Sequence, residues 1–509
     1  MNDTTGAVEE KIHAGGLSAR ESARLFAHHA RLATDGIAFD IADLLKACAF
    51  NSSLLEITPE TLSANVAGTA ARLGIAPAQY VAAALKSPSL FCRQPETIAA
   101  NISASAALLG IAPAQFIAAG LKHPTLLSLK PDTIAANVAG TAERLGIAPT
   151  QFIAAALKQP SLLSQRPETI AANVAGSAAN LGITSAEFVA AALKQPPLLY
   201  LKPETIAANV AGSAALLGIA PAQFIAAGLR RPALFGQRPE TIAANVSASA
   251  KLLDIAPAQF IVTGLKHPTL LSLKPETIAA NVSGTAERLG IEPLQFLLAG
   301  LKQPSLLGQK PETIAANVAG TAERLGIAPA QFTKAAVKYA SLFGQRPETI
   351  AANVSASAKR LDIAPAQFVT AALKHPQLFS HKPQTLATKA GYIRSIAHVT
   401  KVDATALILK YPGSLAFSTR HLHARYVALQ SGAITCGAAT AISRTSTDIE
   451  DHLKAHYLRR LKTAGKGRRT LQVLHAMGIL KTLPENIAPL PARAQPAHHS
   501  RQSDTLKIT

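Results

Sequence analysis

The chain has 509 residues, of which 48 % are apolar but only 5 % aromatic, with no tryptophan, so its core must be built from Ala, Leu, Ile and Val in thin, repetitive packing. Fifty Lys and Arg against 30 Asp and Glu leave a net charge of +20 and a pI near 10, which predicts attraction to a polyanion such as nucleic acid or an acidic surface. Cys48, Cys92 and Cys436 lie too far apart for a disulfide framework or a paired-Cys zinc site, and no apolar run is long enough to span a membrane, so neither metal nor membrane is expected.

In chain order, residues 1–20 lack an apolar signal region and carry Asp3, Glu9 and Glu10, which argues against secretory and organellar leaders and predicts a disordered start. Residues 21–58 are expected to form an N-terminal capping half-repeat, because Leu54 and Leu55 stand 36 residues before Leu90 and Phe91. From Pro59 the motif Pro-Glu-Thr-Ile-Ala-Ala-Asn-Val, or a close variant, recurs every 36 residues through nine regular repeats over 59–382, and Pro383 opens a diverged tenth over 383–418. A fixed period of this size means an all-α helical-repeat solenoid, since one repeat cannot bury its own apolar face. Residues 419–488 read as a basic helical C-terminal cap, with helical patterns near 447–461 and 470–480, and 489–509 as a disordered tail.

Within the repeat, counting the proline as position 1, the apolar or small residues at 4, 8, 11, 12 and 15 follow helical spacing. Proline in the first turn, Glu at 2 and Gly at 16 supply the start and the left-handed stop. A second helix is predicted from the proline at 19 to the cation at 28, burying Phe at 22 and Leu at 27. Proline at 30 ends it, and the apolar pair at 32 and 33 forms a short turn or 3₁₀ piece.

The run from Leu145-Gly146-Ile147 to Lys158-Gln159-Pro160-Ser161-Leu162-Leu163 resembles the repeat of the mitochondrial transcription termination factor (mTERF) family, and the resemblance covers about residues 37–418. It implies a curved solenoid of two helices and a short 3₁₀ helix per repeat, with a basic concave groove that binds nucleic acid, double-stranded DNA in well-known members. The signatures of tetratricopeptide and ankyrin repeats are missing. The near-identical copies and the lack of a transit peptide depart from the organellar pattern. The expected setting is therefore a bacterial cytoplasm, or a host nucleus reached as an effector, and not the mitochondrion.

Two rows of cations are the candidate backbone contacts. Position 28 carries Lys86, Lys122, Lys158, Lys194, Arg230, Lys266, Lys302, Lys338 and Lys374; position 36 carries Lys130, Arg166, Lys202, Arg238, Lys274, Lys310, Arg346 and Lys382. Either row can face phosphates. A cation at a helix C-terminus also complements the dipole, by about 0.3–1 kcal/mol, but position 36 has no such local reason. Arg459, Arg460, Arg468 and Arg469 are a further candidate backbone clamp, a nuclear import signal or a solvated helix face.

Position 29 varies between polar side chains, with His123, Gln159, Gln195, Arg231, His267, Gln303, Tyr339 and His375 as candidate base readers within a constant frame. Positions 14 and 35 vary similarly, and drift at exposed sites is the alternative. Asn at position 7 reads instead as a ladder satisfying polar groups between repeats.

Catalysis finds no motif: a glutamate repeated in nearly every unit is no unique constellation, and Ala464-Gly465-Lys466-Gly467 lacks the spacing of a phosphate loop. The expectation is a monomeric, cofactor-free nucleic-acid-binding protein, duplex DNA favoured over RNA, acting in transcription or its termination. A modular single-stranded RNA binder and a protein-interaction scaffold or secreted effector are the alternatives.

Overall fold

Proline begins the first helix of each regular repeat, where its missing N–H costs nothing and its fixed φ suits the first turn. The helices Pro95–Leu109, Pro131–Leu145 and Pro203–Leu217 show the pattern, each followed by a glycine at φ near +64° that a side chain would resist. In two repeats Asp254 and Asp362 take that left-handed place, at φ +52° and +60°. The computed structural model describes residues 18–37, 40–464, 467–483 and 487–490, so most of the two expected disordered ends lies outside the described residues.

The chain then turns by 114° from Pro95–Leu109 into the second helix, Pro113–Lys122. In most second helices the glutamine at the third position reaches back to the amide that precedes the proline, as Gln115 does by accepting from Ala112 N–H at 3.1 Å, and Glu187 does the same for Thr184 N–H in Ser185–Lys194. Phe116, Phe152 and Phe188 at position 22 are fully buried. Leucine at position 27 is not: Leu121, Leu157 and Leu193 are half-buried, and the buried partners of the phenylalanine are positions 25 and 26, as in Ala155 and Ala156. Helical arithmetic explains the correction, because 27 lies five residues from 22 and about 140° around the helix, whereas 25 and 26 return to its face. A 3₁₀ segment such as Pro124–Leu127 or Pro160–Ser164 closes the repeat and buries both leucines.

The asparagine row acts inside the repeat, and not between repeats as its sequence pattern suggested. Asn65, Asn137, Asn209 and Asn281 donate from Nδ2 to the carbonyls of Phe91, Leu163, Phe235 and Leu307, 26 residues on, at 2.9–3.1 Å. Each bond ties the first helix to the 3₁₀ segment of its own repeat and satisfies a carbonyl that the short helix leaves open. In the tenth repeat, whose first helix Pro383–Thr400 is longer, Lys389 takes this place. Its Nζ reaches Leu415 O at 2.9 Å from a buried position, and burial holds its pKa below the usual lysine value.

The chain divides into two compact bodies, residues up to 248 with 256–272, and 249–255 with 273 onward. Within each, first helices pack on successive first helices, second on second, and 3₁₀ segments on one another, the arrangement of a helical-repeat solenoid with no strand among the described residues. The first body opens with helices Ala19–Thr34 and Ile41–Phe50 and the 3₁₀ segment Ser52–Leu55, a full set of elements where a worn half-repeat was expected. Its first helix starts on a Ser18–Glu21 capping box in place of Pro-Glu, which is why the motif is not recognisable there. His28 Nε2 donates to Leu54 O at 2.9 Å, repeating the 26-residue closure. The second body ends in helices Thr419–Gln430, Ala438–Ser443, Ser446–Ala464 and Arg468–Ala476, the expected helical cap.

Two outcomes follow from these contacts. Asn209→Leu should cost about 1–3 kcal/mol in a denaturant melt, because Phe235 O is left without its donor; an unchanged melt with weakened ligand binding would make the row a ligand contact. Asp362→Gly should raise stability by up to about 1 kcal/mol through relief of the left-handed conformation, and no gain would show that the aspartate is already unstrained.

Candidate nucleic-acid interface

Position 28 is the last residue of the second helix in repeats such as those ending at Lys122, Lys158 and Lys194; in the first repeat the helix ends at Ala84, and Lys86 follows it. Position 36 is the residue immediately before the next first helix. Lys130, Arg166, Lys202, Lys274, Lys310, Arg346 and Lys382 are its N-caps, and Arg238 precedes Pro239 in the same way. None of these caps makes a side-chain capping bond. A cation there sits at the positive end of a helix, the end that favours anions. Local helix energetics therefore account for the position 28 row and work against the position 36 row.

All the cations of both rows are exposed, and among the described residues none forms an ion pair. Arg230 differs from its row. Its guanidinium donates to Leu265 O and, at 3.2 Å, to Lys266 O, so it caps the second helix of the following repeat. The remaining position 28 residues are lysines, whose single nitrogen lacks the forked reach of a guanidinium.

Position 29 is the C-cap of the second helix, held at φ between −125° and −134°, so its side chain is directed by the turn into the 3₁₀ segment. His123, Gln159, Gln195, His267 and His375 are half-buried there, whereas Arg231, Gln303 and Tyr339 are exposed. His123 Nε2 lies 3.1 Å from Ser164 Oγ of the next repeat, and a Cβ on Gly413 would meet the His375 ring at 2.7 Å. Gln159 and Gln303 donate to Ser161 and Ser305 two residues on. Burial lowers the pKa of His123, and burial with the Arg230 charge lowers that of His267, so both are neutral at pH 7 and supply no cation.

Position 35 is half-buried in every regular repeat, and Gln345 bridges to position 34 of the next by donating to Ser380 Oγ at 2.7 Å. Four of the five arginines of position 14 pair with the glutamate at position 2 of the following repeat: Arg72 with Glu96, Arg144 with Glu168, Arg288 with Glu312 and Arg324 with Glu348, the last two at 2.6 Å; the fifth, Arg360, precedes Gln384 and forms no ion pair among the described residues. These pairs are exposed and individually weak. Position 14 therefore bridges repeats only where it is arginine, and position 29, which bridges them through His123, keeps three exposed members.

In the C-terminal cap, Arg459 and Arg460 lie toward the end of helix Ser446–Ala464, and Arg468 and Arg469 open the next helix; all four are exposed. Among the described residues no group of His, Cys, Asp and Glu is placed to hold a metal, and no single helix is long and apolar enough to cross a membrane. Comparison with protein-family models finds no match for this chain, and comparison with curated protein sequences finds none either.

Proposed function

We propose that the protein binds nucleic acid non-covalently along its two cation rows, duplex DNA in preference to RNA, and acts in transcription or its termination. The observation that carries the reading is the position 36 row: exposed cations that form no ion pair among the described residues, repeated at helix N-termini where a cation is locally unfavourable and where the only nearby anion is the position 2 glutamate, as Glu168 is for Arg166. A ligand that supplies further anions accounts for such a row, and a polyphosphate backbone does so once per repeat. Counterion release then drives binding and makes it steeply dependent on salt. The resemblance to the mTERF repeat supports the duplex and the role in transcription.

A scaffold that docks a protein is the second reading. It is favoured by Leu294 and Leu298, one turn apart on helix Pro293–Lys302 and 61 % and 49 % exposed. Binding of a random duplex, a single-stranded RNA and an acidic polypeptide across a salt series separates the readings, the scaffold requiring that the polypeptide alone binds.

Changing Lys158, Lys194 and Lys266 together to Gln should weaken duplex binding on every sequence and flatten its logarithmic salt slope by about 2.7, at about 0.9 per phosphate contact. The helical melt should stay unchanged, since all three are exposed, and an unaltered slope would assign the row to helix-dipole complementarity. Arg231→Gln tests base reading at the most donor-rich exposed member of position 29. Selection from a randomised duplex library should show relaxed preference at one site position, a loss of about 1–3 kcal/mol there. Identical enriched sequences from both proteins would leave backbone and shape as the whole of recognition.

A further inference from the structure

The C-terminal cap contains a cavity of about 250 Å³ that the cation rows do not involve. It lies between the starts of two helices. Arg420 and His421 stand in the first turn of Thr419–Gln430, whose N-cap Ser418 accepts from His421 N–H at 3.2 Å, and Ser446 is the first residue of Ser446–Ala464. Lys481 closes the third side, and Ala424 and Ile479, both buried, line it with apolar surface.

The charges around this space do not balance within the protein. Glu450 is its acidic lining residue, and it is already committed: it accepts Lys481 N–H at 2.6 Å and pairs with Lys454 at 3.2 Å. Asp448, two residues earlier, pairs with Arg444 at 2.7 Å. Arg425 is buried, donating to His421 O at 2.9 Å and to Arg444 O, with its guanidinium 5.0 Å from the Phe417 ring centroid. Arg420 and Lys481 form no ion pair among the described residues, although the Lys481 charge acts on Glu450, and the His421 ring has no hydrogen-bond partner there. Burial first, then Arg425, Arg420 and Lys481, hold the His421 pKa below its usual value, as an excess of positive charge requires.

We propose that this cavity binds a phosphate-type oxyanion, gripped by the Arg420 guanidinium and the Lys481 ammonium, with His421 and the Ser446 hydroxyl as further donors. The positive end of Thr419–Gln430, whose first turn carries no acidic residue, adds to the field there. The volume is below the roughly 300–1,000 Å³ of clefts that hold drug-sized ligands, which favours a small anion or the terminal phosphate of a larger molecule. A guanidinium beside an ammonium suits a tetrahedral, multiply charged anion better than a single carboxylate.

Calorimetric titration of the full chain with inorganic phosphate, in a phosphate-free buffer, tests this. The expected result is one saturable site, weakened at least tenfold in Arg420→Gln/Lys481→Gln and retained in Lys158→Gln/Lys194→Gln/Lys266→Gln. Both residues of the first variant are exposed, and unchanged helical circular dichroism confirms that it folds. Absence of saturable binding to the native chain, or equal binding by the Arg420 and Lys481 variant, overturns the proposal. Competition by a 5′-phosphorylated dinucleotide but not its 5′-hydroxyl counterpart identifies a nucleic-acid terminus as the source of the anion. Indifference to both, with phosphate still bound, assigns the site to a free phosphate compound.

Discussion

The rest of the structure depends on how closely one first helix can approach the next. Position 10 lies under the position 1 proline of the following repeat, so that a Cβ added to Gly176 or Gly212 would come within 2.8 Å of the Pro203 or Pro239 ring. Only a small residue fits, and position 10 is Gly or Ala throughout the regular repeats. Position 26 sets the complementary limit inside the repeat. A Cβ on Gly228 would meet the Phe235 ring at 2.2 Å, and where Ala occupies this place, as in Ala156, the side chain at 33 must give way. These two approaches set the packing, and a core with few aromatic rings follows from them.

Close stacking leaves little room for polar atoms, and the repeat resolves this with few devices. The position 7 side chain satisfies a carbonyl of its own 3₁₀ segment, and at position 11 Thr321 turns back on its helix to Asn317 O at 2.6 Å, whereas the hydroxyls of Ser105, Thr141, Ser177, Ser213, Ser249, Thr285 and Ser357 are buried with no hydrogen bond among the described residues. Between repeats the polar contacts lie at the rim: the position 14 to position 2 ion pairs, the Gln345–Ser380 bond and the Arg230 cap. They are exposed or half-buried and individually weak, so apolar burial carries the stack and the polar rim adjusts its register. That division leaves the cations of positions 28 and 36, Arg230 excepted, without a structural task beyond the helix ends they flank.

Charge is therefore distributed by role and not merely by abundance. Arginine reaches two acceptors together at Arg72 and at Arg230, consistent with its forked donors. Lysine dominates the rows that point to solvent. The cap applies the same chemistry to a single enclosed place, where Arg420 and Lys481 border a cavity whose one acidic lining residue, Glu450, is already engaged.

The period, the two helices, the 3₁₀ closure and most core positions were legible in the sequence because proline, glycine and helical spacing act locally, within a turn or two. At Asp254 and Asp362 the left-handed place persists without glycine, which the sequence pattern did not mark. The leucine of position 27 was misplaced by reading hydrophobicity without angle. The partners of the polar residues were not legible. Glu or Asp stands at position 2 whether the preceding repeat offers Arg324, Asn180 or Leu108 at position 14, so no paired change betrays the ion pair. The asparagine bond spans 26 residues, and its acceptor is a backbone carbonyl, which leaves no mark in composition. The half-burial of His123, the neutral state that follows from it, and the cavity beside Arg420 depend on which chain segments meet. Sequence by itself determined the elements and the repeat, because those are set by local backbone preference; tertiary structure decided which variable side chains are occupied and which remain free, because that is set by neighbours distant along the chain.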